Sequence, residues 1–232
     1  MSEWWTYTLS DFLMFSPQVY YRLFELHNRA LWPAQLLTVA LGLAIPCLLL
    51  RRQDGWDRPI YAILGALWIW LAWVFFWERY ATINWAAAYV APFIALEGLL
   101  LIGVGAFGRQ PNFVSIREPS ALASLGVFAG ALVLYPLLAP ILGRSWLSAE
   151  IFGIAPDPTS VATLALLALA KRRIRWVAMI IPTLWCVVST ATLWTMGPGD
   201  FFIPVAGALA ALGIAAARQR WAMRWSKFDI IK

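Results

Sequence analysis

The chain has 232 residues, 62% of them hydrophobic and only 13% charged, with a formal net charge of +6. Water-soluble domains run nearer to roughly 45–50% apolar and about 25% charged. This balance excludes an ordinary soluble globule, because the surplus apolar side chains need lipid to cover them. The net positive charge does not indicate a nucleic-acid partner, since the basic residues sit in short breaks between apolar runs.

The first 32 residues carry Glu3, Asp11, Arg22, Glu25 and Arg29. No basic start followed by a clean apolar core is present, so a cleavable signal peptide is not expected. Residues 17–32 alternate Tyr20, Leu23, Phe24 and Leu31 with Arg22, Glu25 and Arg29. This pattern predicts an amphipathic interfacial helix, with Glu25 and Arg29 paired at i,i+4.

Seven apolar runs follow, at 33–50, 59–77, 85–107, 120–142, 155–171, 176–196 and 200–217. The predicted fold class is an all-α integral membrane bundle of about seven transmembrane helices, with six as the rival count. It forms a single domain over 1–232: an outer interfacial segment 1–32, a helical bundle 33–217 and a basic cytoplasmic tail 218–232. The breaks at 51–58, 108–119 and 171–175, with the tail, hold 14 Lys and Arg, and the alternate breaks hold 4. The positive-inside rule then places the N-terminus outside and the C-terminus in the cytoplasm. Many of the 15 Trp lie near run ends, as in the aromatic belts at membrane interfaces. In the tail, Trp221 and Trp225 interleave with Arg220, Arg224 and Lys227, which suits anionic headgroups.

The fifth run is the weakest. Pro156-Asp157-Pro158-Thr159 predicts a helix start with Asp157 as N-cap and Pro158 at the first helical position. Before it, 146–152 predicts a short helix closed by Gly153. Residues 146–173 thus read as a broken, re-entrant element of the kind that carries binding sites in transporters.

Glu97 is the chemically most pointed residue. It is the only Asp, Glu, Lys, Arg or His in the 23-residue run Trp85–Phe107, and a mid-membrane carboxylate costs at least about 2.5 kcal/mol. Such a group is a functional-site hypothesis, weighed against a role as structural glue between helices. Glu78, Arg79 and Asn84 fall at the outer ends of the second and third runs, as a polar approach or as a capped turn. Asp157 and Thr159 mark the helix break, with Glu150 just before it. Thr183, Cys186 and Thr190 share one predicted face of the sixth run, which suits packing.

No catalytic residue and no metal site are expected. Cys47 and Cys186 both lie inside apolar runs, and His27 is the single histidine. Neither a disulfide framework, a zinc site nor a bis-histidine haem fits them. No Gly-rich phosphate loop or Ser/His/Asp set is present, and no cofactor is expected. The last run lacks a lysine, which excludes a retinal Schiff base there.

Three stretches carry a resemblance: Trp4–Pro17, Glu78-Arg79-Tyr80-Ala81-Thr82-Ile83-Asn84-Trp85, and Phe152-Gly153-Ile154-Ala155-Pro156-Asp157-Pro158-Thr159. Together they resemble an uncharacterised family of bacterial polytopic membrane proteins, classed only as a domain of unknown function. The resemblance implies a bacterial cytoplasmic (inner) membrane location and brings no activity, ligand or catalytic residue.

The leading functional expectation is a transporter or channel for an ion or small solute, with Glu97, Glu78, Arg79, Asn84, Asp157 and Thr159 as ion-binding candidates. The alternative is a non-catalytic accessory subunit that binds lipid, pigment or partner helices of a larger complex, and an intramembrane enzyme is a third reading. Expected partners are the lipid bilayer, anionic headgroups at the basic tail, and a homo-oligomer or partner membrane subunits.

Overall fold

The computed structural model describes residues 14–51, 57–108 and 113–229, with side chains as far as residue 220. Among the described residues the regular structure is helical, without a strand. The predicted interfacial helix is α1 (Pro17–Ala30), which Ser16 caps by accepting from the Val19 amide at 3.3 Å. Tyr20, Leu23, Phe24 and His27 form its buried face. The expected Glu25–Arg29 pair is replaced by Arg22–Glu25 at 2.5 Å. Helical spacings of three and four bring side chains equally close, so Glu25 has two cations within reach and takes Arg22. Residues 1–13 of the predicted interfacial segment lie outside the described residues.

Then come α2 (Ala34–Arg51) and α3 (Asp57–Leu71), the latter continuing as a π-helical stretch over Ala72–Trp77. Next are α4 (Ala86–Phe107) and α5 (Pro119–Ala129), which runs through a second π stretch into α6 (Tyr135–Ile141). The chain ends with α7 (Pro156–Leu169), α8 (Arg175–Ala178), α9 (Ile180–Met196) and α10 (Ile203–Asp229).

Five stretches are long and apolar enough to cross a membrane: Ala34–Arg51, Asp57–Thr82, Ala86–Phe107, Pro119–Ile141 and Arg175–Met196. They fall on five of the seven predicted runs. The run at 155–171 becomes α7, whose 14 residues span only about 21 Å. The run at 200–217 lies within α10, which continues as helix through Asp229, so the basic tail is largely the end of that helix.

The helices are apolar on their outer faces as well as in the core. Large apolar side chains such as Trp73, Tyr89, Phe93 and Phe107 are exposed, and the largely apolar core also encloses polar residues, among them Glu97, Asp157, Thr159 and Thr163. Helices α3 and α4 meet backbone to backbone: a Cβ on Gly65 would stand 2.6 Å from the Gly98 carbonyl oxygen, and one on Gly98 equally close to that of Gly65. Small residues allow this approach. The centre is α7. Every residue from Phe152 to Ala170 is buried. Trp68 on α3 donates to Thr163 Oγ1 at 3.0 Å, and Ser124 on α5 donates to the Ala165 carbonyl.

The two ends of α7 define the ends of the bundle. Its start lies under α1, where the His27 ring meets the Ile154 carbonyl at 3.2 Å. Its finish is held by arginines. Arg175 donates to the Ala170 carbonyl at 2.5 Å and the Ala215 carbonyl at 3.1 Å, and Arg218 donates to that of Ala168. Cations suit a helix C-terminus, where carbonyls lack helical donors.

Candidate functional site

The start of α7 is built from an irregular segment pressed into the bundle. The expected helix at 146–152 is a single 3₁₀ turn, Trp146–Ser148, after which the chain runs on without regular structure. Gly153 turns it at φ +75°, and a Cβ there would meet Thr38 and Leu67 atoms at 2.9 Å. Proline disfavours the helical region for the residue before it, so Ala155 is extended and becomes the N-cap, with Pro156 first in the helix. The expected N-cap role of Asp157 is thereby corrected by two positions.

Freed from capping, the Asp157 carboxylate turns into the bundle. Oδ1 accepts from the Trp185 indole at 2.7 Å and Oδ2 from the Ser189 hydroxyl at 2.5 Å, both on α9. Thr159 ties the loop to the helix: its hydroxyl donates to the Ala155 carbonyl and accepts from the Gly153 amide, each at 2.7 Å.

Helix α1 covers this start. Asn28 donates to the Leu147 and Ala149 carbonyls at 2.8 Å, and Gln35 donates to the Asn28 carbonyl at 2.7 Å. A carbonyl only accepts, so His27 carries its proton on Nε2, facing Ile154. Burial of the imidazole lowers its pKa from 6.5 to about 4; the Ile154 hydrogen bond opposes the shift and the Arg79 charge adds to it.

The electrostatics beneath α1 are unbalanced. Glu150 is within electrostatic range of Asp157, Arg144 and Asp200. Arg144 donates to Asp200 and lies 4.4 Å over the Tyr21 ring. Glu150 and Asp200 therefore share one guanidinium, with the Asp157 carboxylate close to both. Tyr20 on α1 and Tyr135 on α6 face both Glu150 and Asp157. Glu150 Oε2, Asp200 Oδ1, the Tyr135 hydroxyl and the Ser160 hydroxyl are buried without a hydrogen-bond partner. Among the described residues, no three His, Cys, Asp or Glu are placed to hold a metal ion together.

The sequence candidates fall in three places. Asp157 and Thr159 form the helix start itself. Glu78, Arg79 and Asn84 make the neighbouring turn, where Asn84 Oδ1 accepts from the Ala86 amide at 3.1 Å, a cap on α4. Glu78 is exposed, and among the described residues it forms no ion pair with Arg79. Tyr80 joins this turn to the site, its ring 6.3 Å from that of Trp185. Glu97 is apart, fully buried beside the Gly65–Gly98 crossing, with neither oxygen hydrogen-bonded.

Trp185, Ser189, Arg144, Asp200 and Tyr135 were not among the sequence candidates. A signal existed for two of them: Trp185 and Ser189 are spaced i,i+4 and so share a helix face. Arg144 and Asp200 both lie in breaks that the positive-inside count puts at one end.

Apolar helices packed around a short, wholly buried helix with a polar start make this an all-helical bundle whose architecture is compatible with a multi-pass membrane protein. More particularly, the chain belongs to a family of unknown function, DUF6064, which matches residues 17–224, from the first residue of α1 into α10. No curated protein and no solved structure matches the chain.

Proposed function

We propose that the protein spans the cytoplasmic membrane seven times and transports a cation, the proton being the simplest, through the buried start of α7. The observation that carries the proposal is the excess of acid beneath α1, where Glu150, Asp157 and Asp200 lie close together and, among the described residues, Arg144 is the cation that faces Glu150 and Asp200. Uncompensated charge in a low-dielectric interior is strongly unfavourable, and binding a proton or cation relieves it. A cation is favoured over an anion because the α7 start already holds a carboxylate, which answers the positive end of the helix.

The helices alternate in direction between the two ends of α7, and the basic residues gather at its finish. This supports an outside location for α1 and a cytoplasmic one for Arg175 and Arg218. Short buried helices that begin inside a bundle are a recurring means of presenting a transport site. Glu97 enters the proposal as a second acid, in the α3–α4 seam.

The test is flux in liposomes reconstituted with purified protein, followed with a pH dye and with sodium and potassium indicators. Asp157→Asn should lower cation flux by at least about tenfold at equal incorporation. Glu97→Gln shows whether the seam acid lies on the route. Wild-type flux no greater than that of empty liposomes, or an unimpaired Asp157→Asn variant, ends the proposal.

A further inference from the structure

The acid cluster does not account for a groove on the opposite flank of α1. An open space of about 490 Å³ lies between α1 and the turn Arg79–Ile83. Val19, Leu23 and Leu26 line its α1 side, at i, i+4 and i+7, and Ile83 lines the other. Two guanidinium groups, from Arg22 and Arg79, stand on this apolar bed. They are not equivalent. Arg22 is engaged by Glu25 at 2.5 Å, whereas the Arg79 guanidinium makes no hydrogen bond or ion pair among the described residues. Val19 and Leu26 are 43% and 45% exposed, so the apolar bed is open on its outer side.

The level of the groove in the bundle narrows the ligand. Trp32, Trp77, Trp85, Trp146 and Trp194, each more than half exposed, all belong to the end of the bundle where α1 lies. Exposed tryptophans at one level mark the headgroup zone of a bilayer. A ligand at that depth presents a charged group and an apolar tail together, matching the Arg79 guanidinium, unpaired among the described residues, beside Val19, Leu23 and Leu26. A small inorganic anion would use the arginine and leave the apolar bed wet.

We infer that the groove between α1 and the Arg79–Ile83 turn binds one anionic phospholipid, its phosphate on Arg79 and its upper acyl chain along Val19, Leu23 and Leu26. Arginine suits a phosphate because its planar fork donates two parallel hydrogen bonds. The inference rests on insertion into a membrane and not on any transport activity.

Native mass spectrometry of the delipidated whole chain in detergent tests it, with phosphatidylglycerol, phosphatidylcholine and inorganic phosphate as probes. One phosphatidylglycerol should bind per chain more tightly than phosphatidylcholine. Arg79→Gln should weaken it about fivefold, the worth of one interfacial cation. Arg22→Gln should weaken it less, since Glu25 already occupies that charge, and Arg173→Gln at the far end should have no effect. Thermal unfolding of each variant without lipid separates a lost site from a lost fold. Equal binding of the two lipids, or undiminished phosphatidylglycerol binding by a folded Arg79→Gln protein, overturns the inference. So does full competition by millimolar phosphate, which would make the groove a simple anion site.

Discussion

The Trp185 indole on α9 donates to the Asp157 carboxylate at the start of α7, at 2.7 Å between two wholly or nearly buried side chains. This bond, with its Ser189 companion, turns an acid with every local reason to cap its own helix into a tether between two helices.

Removing the donor should therefore cost more than removing the ring area. Trp185→Phe keeps an aromatic ring against Phe76, whose ring centre is 4.7 Å away, but leaves Asp157 Oδ1 without its partner. A buried acceptor so stranded costs about 1–3 kcal/mol, more when charged. Thermal unfolding in detergent should show this loss, and the Trp185→Phe/Asp157→Asn pair should be less than additive. Additive losses would mean that the two residues act independently.

Stability should also depend on pH through His27. Its pKa in the folded protein, about 4, lies below the ordinary 6.5, so between these values the unfolded chain binds the extra proton. The contribution is complete above about pH 6.5 and is lost as pH falls toward 4, reaching up to about 3 kcal/mol. Carboxylates titrate in the same window, so the measurement is the difference between wild type and His27→Gln. The variant should have the shallower acid limb, and parallel limbs would remove His27 as the cause.

The α3–α4 crossing predicts a sharp contrast among glycines. Gly98→Ala places a Cβ 2.6 Å from the Gly65 carbonyl oxygen and 2.7 Å from Ile69 Cγ1, so the helices must separate. The expected cost is about 1–3 kcal/mol. Gly103→Ala, on the same helix with nothing within 4 Å, should instead be neutral or stabilising by up to about 1 kcal/mol. Unfolding midpoints that do not separate the two variants would refute the close crossing.

Much of the fold could be read from the apolar runs, because length and hydrophobicity alone decide which segments need lipid or protein around them. Five of the runs match helices long enough to cross, with boundaries moved by only a few residues. The proline break before α7 was also readable, since Pro156 and Pro158 restrict the backbone locally. The direction of the Asp157 side chain was not: capping is a local preference, and two donors from α9 overrode it. On α9, Thr183, Cys186 and Thr190 share a face suited to packing, but the bond to Asp157 comes from Ser189, off that face, while Thr190 accepts from the Val205 amide. Glu97 was conspicuous in the sequence because it was alone, and it remains alone in the fold, beside glycines rather than beside the other acids.

The complete enclosure of α7 bears on the order in which the chain can be assembled. Its first turns carry Asp157, Thr159, Ser160 and Thr163, all buried, and the helix has no face left for lipid. Two of its wrapping helices, α9 and α10, lie later in the chain and emerge from the ribosome after it. In a membrane, α7 would thus have no stable berth when first made. It would wait at the interface until α9 supplies Trp185 and Ser189 and α10 brings Arg218 to the Ala168 carbonyl. A chain that stops short of α10 would expose α7 to quality control, however well its first helices had inserted.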